Sequence, residues 1–315
     1  MISRRLLRVK ILQVLYASHN KQDQTIQQSE KELFFSINKS YDLYYFLLLL
    51  PIELVRVEEQ HLDMAKQKLM PSFKDLHPNN TFAQNKHINQ LRNNSQLKKY
   101  ISDNKISWVN NFEIIKNLYN VIKEKDYFNQ YLAISEPTFE DDKEIILKII
   151  EEEVPLFQPL ESTLEELSIF WNDDMDFILS MVFKTLKSFK QSDGPEKKLM
   201  PLFKNEDDRE FAKKLFHKVS LNCVEYNELI KTHSQNWEFD RIAIMDILIM
   251  RMALAEIIEF PSIPIKVSLN EYIEIAKDYS TSNSNTFING ILDNIVKYLK
   301  KENKIVKTGR GLIET

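Results

Sequence analysis

The sequence predicts an all-α fold, and three observations carry that prediction. Apolar residues recur at three- and four-residue steps along most of the chain. No stretch alternates apolar and polar residues as a half-buried strand would. One long run, Trp237 to Phe260, is apolar around its whole circumference and holds neither Gly nor Pro. Between Ile242 and Ile258 only Asp246, Arg251 and Glu256 are charged. A run apolar on every side predicts a helix wrapped by its neighbours. Three charges in it argue against a membrane span, because each would be costly at mid-bilayer.

From the N-terminus, residues 3–18 predict an amphipathic helix with Leu7, Ile11, Val14 and Leu15 on one face. Arg4, Arg5 and Arg8 fall together on an adjoining face. No acid occurs before Asp23, so this end carries an uncompensated basic cluster that includes Lys10 and Lys21. A helical pattern covers 29–70, with a break expected at Pro51. The Asn-rich stretch His77–Gln96 is expected to be a flexible connector or loop.

Helical stripes resume with Trp108, Phe112, Ile115, Leu118 and Ile122. Asp141 and Asp142 then precede Ile145, Ile146, Ile149 and Ile150, placing acids at a helix start as the dipole prefers. Ser162 and Glu165 have the spacing of a capping box. Phe177 to Leu186 form another stripe, and Lys190–Pro201, with Gly194-Pro195, marks a second boundary. Phe211, Leu215, Val219 and Tyr226 share one side of the next helix. Pro261 and Pro264 make a turn, and Ser268 with Glu271 is read as an internal cap pair. In Asn289-Gly290 the flanks are helical in period, so Gly290 is expected to be a close-packing point within a helix.

Composition removes several function classes. At 315 residues the chain can hold one large or two modest domains. It has 43% hydrophobic and 28% charged residues, which is globular composition. The four glycines lie at 194, 290, 309 and 311, a spacing that builds neither GxGxxG nor GxxxxGK. No nucleotide cofactor is expected. The single Cys223 excludes an internal disulfide and is read as a small buried hydrophobe. The six histidines show no metal-ligand spacing, so no metal site is expected. No signal peptide is evident, and Leu43–Leu50 is too short to span a bilayer, so a cytoplasmic protein without membrane contact is expected. With a net charge of −4, an anionic partner must be met by a local patch.

The order of the C-terminal segments says more. The Trp-x-x-x-Arg entry (Trp237, Arg241) is followed by R-M-A-L-x-E (Arg251 to Glu256), then K-V-x-x-N-E (Lys266 to Glu271), then F-I-N-G-I-L-D (Phe287 to Asp293). These resemble the C-terminal half of the NusB transcription antitermination family. The N-terminal RRLLRVKILQVLY resembles the family's arginine-rich first helix, which ends in Q-x-L-Y (Gln13, Leu15, Tyr16). The resemblance implies a bundle of two helical subdomains without catalytic activity. It also implies binding of single-stranded boxA RNA in ribosomal RNA leader transcripts, together with the ribosomal small-subunit protein NusE, and assistance to RNA polymerase. Carried over by position, the RNA contacts are Arg4, Arg5, Arg8, Gln13, Tyr16 and Phe287. Guanidinium groups pair with phosphates and stack on bases, and aromatic faces stack on unpaired bases.

The chain departs from the family pattern in three places. Leu6 stands where a third consecutive arginine can occur, and Thr286 precedes Phe287 where a basic residue is common. Both imply weaker phosphate contact, or compensation by Lys10 or the basic tail (Lys300, Lys301, Lys304, Lys307, Arg310). The chain is also about twice the family's usual length, and residues 60–200 resemble nothing in it. The implied division is an N-terminal helical region over 1–200, including an expansion at about 60–200, a C-terminal helical domain over 205–302 and a basic tail over 303–315. The expansion is expected to serve protein contact or dimerisation, a homodimer of the free protein being one form. An RNA cytosine methyltransferase is disfavoured, because in such enzymes the NusB-like domain is N-terminal and a methyl-donor loop needs glycines absent here. The competing reading is a protein–protein adaptor that keeps the fold with little RNA affinity, motivated by the pI near 6.0 and the lost basic positions.

Overall fold

A computed structural model describes residues 2–21, 24–234 and 238–312, with the backbone alone at Lys74 and Arg310. Trp237 of the entry motif and the Arg310 side chain therefore lie outside the described residues. Every regular element among those residues is helical. The chain forms two compact units. One comprises Asn38–Leu202; the other joins Ile2–Ile37 to Phe203–Thr315. The arginine-rich first helix thus groups with the C-terminal helices, across an insertion of 165 residues.

Helix α1 (Arg4–Asn20) is capped by Ser3, whose side chain accepts from the Leu6 amide. Helix α2 (Ile26–Lys66) begins in the second unit and continues in the first. It runs through Pro51, where the sequence predicted a break. Proline removes one backbone hydrogen bond and crowds the preceding turn. Here Leu47, Leu48, Leu50, Leu54 and Val57 are completely buried around it, and that packing sustains the helix.

The insertion continues with α3 (Phe73–Leu76), α4 (Lys86–Arg92), α5 (Ser95–Asp103), α6 (Phe112–Lys123), α7 (Asp126–Leu132), α8 (Phe139–Lys148), α9 (Gln158–Leu167) and α10 (Met175–Ser188). A wider π turn over Ile149–Glu153 extends α8. The Asn-rich stretch is a loop with a turn over 77–85, as expected, but from Lys86 it is helical, holding α4 and the start of α5. Asn85 caps α4 by accepting from the Ile88 amide, and Asn94 caps α5 by accepting from the Leu97 amide. Asparagine favours loops and helix caps for the same reason, a short side chain that bonds nearby backbone. Ser162 is not a cap, since α9 has already begun at Gln158; Thr138 and Asp141 form a capping box at α8 instead. The core of this unit is aromatic. Trp108 stacks on Phe46 at 3.8 Å and donates its indole N–H to the Phe46 carbonyl at 2.9 Å. Tyr44 meets Thr185 at 2.7 Å.

The second unit is completed by α11 (Glu206–Leu221), α12 (Cys223–His233), α13 (Ile244–Glu259), α14 (Ile265–Tyr279) and α15 (Ser284–Lys301). Helix α13 is its axis, packed by α1, α11, α12, α14 and α15. That enclosure explains an apolar surface with no polar face: Ile249, Met250, Met252, Ala253, Leu254, Ala255 and Ile257 are fully buried. Each of its three interior charges has a partner. Asp246 accepts from the hydroxyls of Ser280 and Ser284, Arg251 donates to Asn227 at 2.7 Å, and Glu256 receives Arg8. Gly290 is exposed and a Cβ there would meet nothing within 4 Å, so it is not a close-packing point. Gly311 is: its Cβ would fall 1.9 Å from the Pro261 carbonyl oxygen, because the tail lies against the α13–α14 turn. No helix of the described residues is long and apolar enough to cross a membrane, and no cluster among them could hold a metal ion.

Candidate nucleic-acid interface

The first two turns of α1 place their three arginines in different environments. Arg4 and Arg8 are one turn apart and share the Phe211 side, with guanidinium carbons 5.0 Å and 5.3 Å from that ring. Arg4 remains partly exposed and donates Nε to Asp208 of α11 at 2.9 Å. Arg5 is rotated about 100° away and is the most exposed, its side chain 56% accessible. It forms a fork on Glu271 of α14, with Nε and Nη2 each 3.0 Å from a carboxylate oxygen. The hydrogen bond to Glu271 raises the Arg5 pKa, so the group is a permanent cation.

Arg8 is inside the fold, its side chain only 4% exposed. Nε and Nη2 lie 2.8 Å from the two oxygens of Glu256, and Nη1 lies 3.2 Å from Glu271. Glu256 is completely buried and also accepts from Ser268 at 2.8 Å and Tyr272 at 3.0 Å. Burial opposes the Arg8 charge, but the bonds to Glu256 outweigh it and raise its pKa. Burial and the facing Glu256 carboxylate push the Tyr272 hydroxyl well above the usual phenol range. Two carboxylates therefore satisfy the buried cation, and a hydroxyl and a phenol complete the shell of the buried Glu256, the condition under which such charges are tolerated. Ser268 and Glu271 are members of this network and do not cap a helix.

The other residues carried over from the family pattern are spread along the same unit. Gln13 is half-buried and Tyr16 exposed, further along α1. Phe287 is half-buried in the first turn of α15. That turn is fixed to the start of α13 through Ser284 and Asp246, whereas Arg8 is fixed at Glu256. Asp246 and Glu256 are ten positions apart, about 15 Å along the axis. The arginines and Phe287 are thus anchored at two levels of one helix. Lys10 is buried and Thr286 exposed.

Sequence reasoning left the carboxylates at 208 and 256 without a partner and read the one at 271 only as a cap. Glu256 and Glu271 close two of the motifs quoted above, and an acid inside an all-round apolar run is itself a signal that a cation must meet it.

The family described as "NusB family" has a model that matches residues 178–297. The transcription antitermination protein NusB of Salinibacter ruber is 42% identical over 138 residues, which are 42% of this chain and 86% of that protein. The NusB of Chloroherpeton thalassium is 42% identical over 106 residues, covering 34% of this chain and 50% of that protein. The NusB of Natranaerobius thermophilus is 36% identical over 97 residues, 31% of this chain and 70% of that protein. No solved structure matches the chain. Because one relative is matched over most of its own length at this identity, the chain, enlarged by its helical insertion, belongs to the NusB family.

Proposed function

We propose that this protein is a transcription antitermination factor that binds single-stranded boxA-type RNA of ribosomal RNA leader transcripts. It acts with NusE and assists RNA polymerase, in the cytoplasm and without catalysis. The observation that carries the reading is the first turn of α1, where Arg4 and Arg5 are held outward by Asp208 and Glu271 and keep unspent donors. Arg4 commits only Nε to Asp208, and Arg5 commits Nε and Nη2 to Glu271. A phosphate can share such a guanidinium because it presents five N–H groups. Tyr16 and Phe287 are the stacking residues of the proposal, with Gln13 a polar neighbour. Arg8 acts from inside, fixing α1 on α13 and α14 so that the exposed pair keeps its position.

The test is titration of fluorescently labelled boxA RNA with the full chain, alone and with NusE. Binding strengthened by NusE supports the assignment. An affinity no different from that for a scrambled RNA favours instead the adaptor reading, motivated by the pI near 6.0 and the lost basic positions at Leu6 and Thr286.

A further inference from the structure

The second unit carries a cleft of about 580 Å³ that has no part in the arginine site. One wall is a stripe of α15, where Asp293, Val296, Lys297 and Lys300 recur at helical spacing over two turns, about 10 Å of the axis. The start of α14 forms the second wall through Ile265, Lys266 and Leu269, and the tail closes the third side with Ile305, Lys307 and Leu312. The tail is fixed in place. The Thr308 amide donates to the Pro261 carbonyl at 3.0 Å, and Lys307 Nζ donates to the Phe260 carbonyl at 3.0 Å. The groove is therefore formed without a partner, which lowers the ordering cost of filling it.

The floor of the cleft is aliphatic, no aromatic ring lines it, and Leu312 leaves 66% of its surface in water. Four lysines stand around that floor against one acid, Asp293. Lys266 and Lys297 are exposed and have no ion pair among the described residues. Lys266 occupies the first turn of α14, where the helix dipole disfavours a cation, so helix formation does not account for it. Burial lowers the Lys307 pKa to about 8, and a carboxylate beside it would restore its charge.

This combination selects the occupant. A nucleobase laid in the cleft would find no ring to stack on, and its polar edge would lie on aliphatic carbon. Nor does the cleft continue the path of a strand held by Arg5. Leu269 and Glu271 are two positions apart on α14, about 200° around its axis, so they face opposite sides. A peptide that mixes aliphatic and acidic side chains satisfies both halves of the groove. We propose that the cleft docks a short acidic segment of a protein partner, with aliphatic side chains covering Leu269, Val296 and Leu312 and carboxylates pairing with Lys266 and Lys297. The site is independent of RNA binding at Arg4 and Arg5.

The probe is a fluorescein-labelled synthetic peptide in which pairs of Glu and pairs of Leu alternate, titrated with the full chain. A companion peptide with Gln for every Glu and a uridine oligonucleotide are titrated beside it. The acidic peptide is expected to bind about 5-fold or more tightly than its Gln companion, and to weaken between 50 and 200 mM salt. Lys266→Gln combined with Lys297→Gln should weaken it about 5-fold. Leu312→Asp, which sets a carboxylate at an exposed position of the rim, should weaken it about 10-fold. Lys301→Gln, on α15 but outside the lining, should leave it within two-fold. The inference is overturned if the acidic and Gln peptides bind alike, or if the double variant and Leu312→Asp both bind the acidic peptide as the parent does. It is equally overturned if the double variant weakens the oligonucleotide and leaves the peptide unchanged, which would assign the cleft to RNA. The arginine-site reading stands or falls separately, because boxA affinity of the double variant is expected within two-fold of the parent.

Discussion

Arg8 and Glu256, 248 residues apart in sequence, meet inside the second unit through two parallel hydrogen bonds of 2.8 Å. The pair fixes the first helix to the axial helix, and its removal is predicted to be costly. Arg8→Ala leaves a buried carboxylate with only Ser268 and Tyr272 as donors. A loss of about 3–5 kcal/mol is expected in denaturant unfolding, as for other broken buried pairs. A loss below about 1 kcal/mol would mean that the pair does not hold the unit together.

Arg5 is predicted to behave oppositely. Its bond to Glu271 is exposed, so Arg5→Ala should change stability by less than about 1 kcal/mol. A larger loss of stability in the same assay would place Arg5 among the structural arginines.

His87 supplies a pH dependence. It is fully buried in the insertion, its ring edge-on to Phe139 and Phe189, and neither ring nitrogen has a hydrogen-bond partner. Burial lowers its pKa from 6.5 to about 4. The folded state therefore favours neutral imidazole. The stability this contributes is present above pH 6.5 and is lost as pH falls toward 4, by at most about 3 kcal/mol. Replacing the ring by His87→Leu should flatten the unfolding-versus-pH curve between pH 6.5 and 4. An unchanged curve would contradict the assignment.

Gly311 is the steric contact of the tail. Gly311→Ala places a methyl group against the Pro261 carbonyl and should displace the tail, exposing residues 303–312 to limited proteolysis. Tail cleavage no faster than in the parent protein would show that the turn accommodates the change.

The axial helix was legible in the sequence because an all-round apolar run has few alternatives, and its charged residues announced partners. Which arginine faces water was not legible. What each of Arg4, Arg5 and Arg8 meets depends on Asp208, Glu256 and Glu271, which arrive from helices more than 200 residues away. The Asn-rich stretch misled from Lys86 onward because capping and loop formation draw on one residue type, and only Asn85 and Asn94 in place reveal which applies. Pro51 misled because local propensity yields to enclosure on all sides. The helices of the insertion were readable as stripes, but nothing in their period tells what the unit contacts.

The central claim is that the outward arginines of α1 carry RNA phosphates while the inward one carries the fold. It is tested most directly by the salt dependence of boxA binding for the parent chain and for Arg5→Ala. The account predicts weaker binding with a log K versus log salt slope shallower by roughly 0.7, the value of one lost single-strand phosphate contact. Identical affinity and identical slope in the two proteins would contradict it.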